Sequence, residues 1–191
     1  MKFSEMPYER PDIEALKKFL DDAAARLAAA GTFEEADEVF LEVERGMSHA
    51  ETMLTIANIR HDINTADEFY DKEVEFADQA LPELQEYSQK WDLALLKSPF
   101  RADFERKDNR IMFLNTEISL RTFSPEIVPE LQRENALTTE YSKLIASAQI
   151  PFEGQVYTVS QLTPLKQDPD DARRPAAWKA EGEWYMQNAD K

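Results

Sequence analysis

The chain has 191 residues, enough for a domain of ordinary size whose core needs no metal or disulfide support. Its 22 Lys and Arg stand against 38 Asp and Glu, a net charge of −16 that repels phosphate backbones and anionic lipid, so neither nucleic acid nor a membrane surface is expected as a partner. There is no cysteine, no apolar stretch approaching the ~20 residues of a membrane span, and no signal region in the polar opening, which points to a reducing cytoplasm.

Pro11 and Asp12 open a first predicted helix with Ile13, Leu16, Leu20, Ala24 and Leu27 on one face, and Gly31 closes it as a left-handed cap. Thr32 with Glu35 forms a capping box for a second helix, which runs to about Ile63. Its ladder is Ala36, Phe40, Val43, Met47, Ala50, Leu54, Ala57 and His61, with spacings of four and three that alternate without a slip. Thr65 with Glu68 repeats the capping device, so a third helix doubles back as an antiparallel partner. Tyr70, Val74, Ala77, Leu81, Leu84, Ser88, Trp91 and Leu95 form its ladder, and Pro82 inside it is expected to bend or break the rod.

Ser98-Pro99 starts a fourth helix with Phe100, Phe104, Ile111, Leu114 and Ile118 as its inward face. Ser124-Pro125 starts a fifth, with Val128, Leu131, Thr138, Tyr141, Ile145 and Ala148 inward, ending near Gln149. Then the period changes to two: Ile150-Pro151-Phe152 and Val156-Tyr157-Thr158 flank Glu153-Gly154, a β-hairpin near residues 150–159. After a turn around Leu162, Asp168-Pro169-Asp170-Asp171 caps a last helix carrying Ala176, Trp178, Trp184 and Tyr185, in which Pro175 and Gly182 are awkward residues. The fold class is therefore mainly α: long antiparallel helices in a bundle or arm, with one short hairpin.

Chemistry is excluded more readily than assigned. The only histidines, His49 and His61, lie twelve positions apart on one helix, about 18 Å along its axis, and cannot share an ion. His61 ends an apolar ladder and reads as a partly buried residue near a helix C-terminus. No HExxH occurs, no Glu stands three positions before either histidine, and no G-x-S-x-G elbow is present. Four scattered glycines, Gly31, Gly46, Gly154 and Gly182, cannot build a phosphate-cradling loop. No catalytic, cofactor-binding or metal-ligating residue is assigned to this chain.

Phe3-Ser4-Glu5-Met6-Pro7-Tyr8-Glu9-Arg10-Pro11-Asp12 resembles the opening of the oligoendopeptidase F family of zinc metallopeptidases. Ser98-Pro99-Phe100-Arg101, Thr122-Phe123-Ser124-Pro125-Glu126-Ile127, Leu144-Ile145-Ala146-Ser147-Ala148, Phe152-Glu153-Gly154 and Tyr157-Thr158-Val159-Ser160-Gln161-Leu162 are similar to later segments of that family in the same order. The resemblance implies an enzyme about three times longer, whose N-terminal helical region walls a channel over a catalytic half. That half would carry HExxH, a third ligand and one zinc ion, and would cut short peptides. None of that set exists in this sequence, so no functional residue is carried over.

The resemblance thus implies the N-terminal, channel-forming part of a zinc metalloendopeptidase, inactive by itself, with residues 1–149 as helical domain, 150–167 as hairpin and turn, and 168–191 as the start of a helix leading into the catalytic half. Its implied partner is that half, meeting an apolar surface around Leu165, Trp178 and Trp184. An alternative from another class is a stand-alone acidic helical module that presents a groove to a partner helix.

Overall fold

In a computed structural model, residues 2–191 are described, apart from the side chains of Asp108 and Asn109. They fall into two compact units, one up to Ala136 and one from Leu137 to Lys191.

Three long helices frame the first unit: α1 (Ile13–Ala29), α2 (Phe33–Ile63) and α3 (Glu68–Lys97). Asp12 caps α1 by accepting the N–H of Ala15, and Thr32 caps α2 by accepting that of Glu35. The capping box at α2 closes one residue early, because the Glu35 carboxylate reaches the N–H of Gly31. Gly31 is not a left-handed cap. Ala30 ends α1 in extended backbone, and Gly154 is the one glycine of positive φ among the described residues. Asp67, rather than Thr65, caps α3 by accepting from Phe69 and Tyr70, which places the start of the helix nearer the point where its ladder begins.

Every rung of the first ladder is buried except Met47, which is half-buried. In the second ladder Val74, Ala77, Leu84, Trp91 and Leu95 are buried, while Leu81 remains 38% exposed. Each fully buried Val, Leu or Phe rung contributes about 1.5–3 kcal/mol, and the alanines less. Arg26 paired with Glu42 and Phe19 against Gly46 show α1 antiparallel to α2; Arg10 with Glu73, Lys17 with Glu83 and Asp21 with Lys90 show it parallel to α3. A Cβ on Gly46 would lie 3.0 Å from the Phe19 ring, so the glycine sets how closely α1 and α2 approach.

Pro82 neither breaks α3 nor divides it. The ring removes the donor that would close the turn on Asp78, yet the Asp78 carbonyl accepts the Asn135 side-chain amide at 3.3 Å, and the next carbonyl, Gln79, accepts Gln132 at 2.7 Å. Amide donors from a later helix thereby take up the acceptors that a helix-interior proline exposes.

Ser98 acts in a turn rather than as a helix cap: its hydroxyl accepts from Phe100, and α4 (Arg101–Phe104) starts one turn later. A wide π-type turn over Glu105–Asn109 joins α4 to α5 (Arg110–Ser119). The extra residue rotates the downstream helix by about 100°. Phe113 therefore enters the core at 1% exposure, packed against Phe104, whereas Ile111, Leu114 and Ile118 are 62, 54 and 51% exposed. The expected inward face is outward on α5 and holds only before the wide turn, at buried Phe104 and half-buried Phe100.

A short Ser124-capped turn leads into α6 (Val128–Ala146), which contributes its first turns to one unit and its last to the other. The helix contains no fully buried residue, and Thr138 and Tyr141, expected inside, are exposed; it ends at Ala146 rather than Gln149. Too few apolar positions repeat along it to bury a continuous stripe.

In the second unit β1 (Ile150–Phe152) and β2 (Gln155–Tyr157) pair antiparallel, with Ile150 opposite Tyr157 and Phe152 opposite Gln155. Glu153 and Gly154 both take positive φ, +51° and +78°, the two-residue turn whose twist suits a hairpin. Thr158 leaves the strand and caps α7 (Val159–Leu162) by accepting from Gln161. Asp170 accepts from Ala172 and Arg173 at the start of α8 (Arg173–Gln187), and Pro175 sits in its first turn, where a missing N–H costs nothing. Ala148, Ile150, Phe152, Leu162, Ala177 and Trp184 form the core of this unit.

Candidate partner surface

The three residues singled out for a partner surface separate in the structure. Positions 177, 181 and 184 share the inward face of α8, so Trp184 is a core residue at 9% exposure and not part of a surface. Leu165 is half-buried against the same core. Trp178 lies one step round the helix and is 58% exposed. Its indole N–H donates to the Lys166 carbonyl at 3.2 Å, and the Lys166 ammonium sits 4.7 Å from its ring centroid.

Lys166 also donates to both carboxylate oxygens of Glu181, each at 2.7 Å, with side chains 12% and 8% exposed. This pair compensates a carboxylate that α8 carries into the core, and it holds the Lys166 ammonium beside the Trp178 ring. Isolated charges in an acidic chain gave no sequence signal for the pairing. Tyr185 and Met186, 40% and 78% exposed, continue the open surface along α8.

The opening segment folds back as a strap on the first unit. Glu73, 4% exposed, accepts from the Tyr8 hydroxyl at 2.5 Å and from Arg10 at 2.8 and 2.6 Å. Burial, then the Glu73 carboxylate, pushes the Tyr8 phenol above its usual range; the hydrogen bonds from Arg10 hold the Glu73 carboxyl below its own. Arg60 donates to the Met6 carbonyl at 2.5 Å and stacks on Phe3. The segment that carries the first resemblance is thus a structural clasp, with Tyr8 and Arg10 committed to α3 and the Met6 carbonyl to α2.

His49 and His61 are not brought together. His49 is exposed beside a cavity of about 400 Å³ lined by Leu16, Phe19, Gly46 and Met53. His61 is 3% exposed, with Nε2 3.4 Å from an Asp71 carboxylate oxygen. A second groove, of about 320 Å³, lies between α2 and α3 and is lined by Met47, Leu54, Leu81, Leu84 and Leu131. Among the described residues no three of His, Cys, Asp and Glu are grouped to hold a metal ion.

The peptidase M3 N-terminal domain family matches residues 3–123. The chain belongs to that family. No curated protein matches it. Among solved structures, this M3 N-terminal domain is similar to Pz peptidase A with inhibitor 2 at 40% identity and a TM-score of 0.93, covering 99% of this chain and 34% of that one. It is similar to a chain described as oligoendopeptidase F at 39% identity and a TM-score of 0.94, and to another from Bacillus anthracis strain Ames at 36% and 0.93. Both comparisons cover all of this chain, and 34% and 35% of the other. The M3 domain thus spans about a third of the length of the solved chains it matches. No helix among its described residues is long and apolar enough to cross a membrane.

Proposed function

We propose that this M3 N-terminal domain is the channel-forming part of a cytoplasmic zinc metalloendopeptidase that cuts oligopeptides, and that it hydrolyses nothing by itself. The carrying observation is the combination of 36–40% identity over 99–100% of this chain with coverage of only 34–35% of the matched chains. Two-thirds of such an enzyme then lies outside these residues, and the zinc, its ligands and the general base belong there. The 191 residues supply bulk and position: α1–α3, with the opening segment tied to α3 through Tyr8, Arg10 and Glu73, make the wall, and residues 168–191 begin the connection to the catalytic half. The lack of any grouped donor set among the described residues supports assigning the metal chemistry elsewhere.

The test compares the 191-residue chain with the polypeptide encoded by the reading frame extended beyond Lys191, using a quenched-fluorescence oligopeptide and added zinc. The expected result is background hydrolysis by the short chain and chelator-sensitive cleavage by the long one. Peptide cleavage by the short chain, or an extended frame with no peptidase activity, overturns the reading.

A further inference from the structure

Helix α8 is patterned on two sides. Ala177, Glu181 and Trp184 point into the core of the second unit, and Pro175, Trp178, Gly182 and Tyr185 succeed one another at spacings of three, four and three on an exposed side. That alternation has the spacing of the stripe by which one helix packs against another. In a chain with 31% charged residues, none of the four seam positions carries a charge. At its middle, nothing lies within 4 Å of where a Cβ on Gly182 would be, so the backbone is open to close approach between Trp178 and Tyr185, with Met186 78% exposed beside them. A mid-helix glycine costs helix stability unless something gains from the space it leaves.

We propose that Trp178, Gly182, Tyr185 and Met186 form a helix-crossing site occupied by an apolar helix of the catalytic portion, with a bulky aliphatic side chain seated over Gly182. This rests on the functional reading above and deepens it by naming the seam. The solved chains that match carry about two-thirds of their length beyond the matched part, which provides the occupant. A second copy of this chain is disfavoured, because each copy brings a net charge of −16.

Gly182→Leu fills the crossing point. In the 191-residue chain it leaves the melting temperature unchanged or raises it; in the full-length enzyme it lowers kcat/KM for the oligopeptide at least tenfold. A second measurement needs no disruptive variant. Acrylamide quenching of Trp178, isolated by difference against Trp178→Phe, falls several-fold from the short chain to the full-length protein. Full activity in the Gly182→Leu enzyme together with undiminished quenching overturns the seam while leaving the peptidase reading intact. Loss of folding in the short chain on Gly182→Leu, or a dimer of the short chain that Trp178→Glu dissociates, also overturns it. A wild-type full-length protein without peptidase activity overturns the functional reading instead.

Discussion

The Gln132 side-chain amide donates to the main-chain oxygen of Gln79 at 2.7 Å, one residue past the carbonyl whose helical donor Pro82 removes. Asn135 donates to that preceding carbonyl, on Asp78. The proline and the two amides form one arrangement, and their energies are therefore coupled. Gln132→Ala and Asn135→Ala are expected to cost about 1 kcal/mol each. In a Pro82→Ala background, where the backbone N–H returns, the cost of Asn135→Ala falls toward zero. Urea denaturation of the four-member cycle measures the difference; additive effects would show that the amides do not serve the proline.

Glu73 holds the strap through Tyr8 and Arg10. Glu73→Ala leaves both partners without their acceptor and is expected to destabilise the first unit by about 2–3 kcal/mol, less than a fully buried pair because Arg10 is 48% exposed. The pH dependence has a definite sign. Arg10 holds the carboxyl below its ordinary 4.5, so the stabilisation is complete above that pH and is lost as pH falls through the lower folded value. Denaturation midpoints of wild type and variant should converge in acid and separate at pH 7.

Asp92 has the opposite sign. Burial raises its carboxyl from 3.8 to about 6, so the folded state holds a proton that the unfolded chain releases. Stability is lost as pH rises through about 4 to 6, and the loss is complete above that range. Asp92→Asn is expected to stabilise the chain by on the order of 1–3 kcal/mol at pH 7 and to be neutral near pH 3. Equal midpoints for the two proteins at pH 7 would refute this.

Two glycines in the second unit should respond oppositely to alanine. Gly154 sits at φ +78° in the hairpin turn, so Gly154→Ala costs about 1 kcal/mol. Gly182 has helical neighbours and open space, so Gly182→Ala in the 191-residue chain gains about 0.5–1 kcal/mol. Thermal melts of the two variants, run side by side, give the comparison.

The long helices were legible because burial imposed a period on them: Ala36 through His61 and Val74 through Leu95 repeat the contacts they make. The hairpin was legible from Glu153-Gly154, whose positive φ values a two-residue turn of this kind demands. Three features were not. Rotation at Glu105–Asn109 depends on a wide turn that leaves no compositional trace, so the side chains after it are read in the wrong phase. The tolerance of Pro82 depends on donors about fifty residues away, which local rules cannot see. Trp178 and Trp184 differ in fate because helical position, not residue type, decides which ring is inside. The surface around Trp178 was read from the two tryptophans of the last helix, a signal of residue type that does not tell which ring faces out.

The wide turn before α5 makes the outer texture of that helix a matter of chain length. Deleting one residue within Glu105–Asn109 would swing Phe113 out toward water and bring a neighbouring aliphatic side chain under Phe104, about 100° away, with no change in composition along α5. A single-codon gain or loss there can thus exchange an oily exterior for a wettable one, a route to altered sociability that substitutions reach only in several steps.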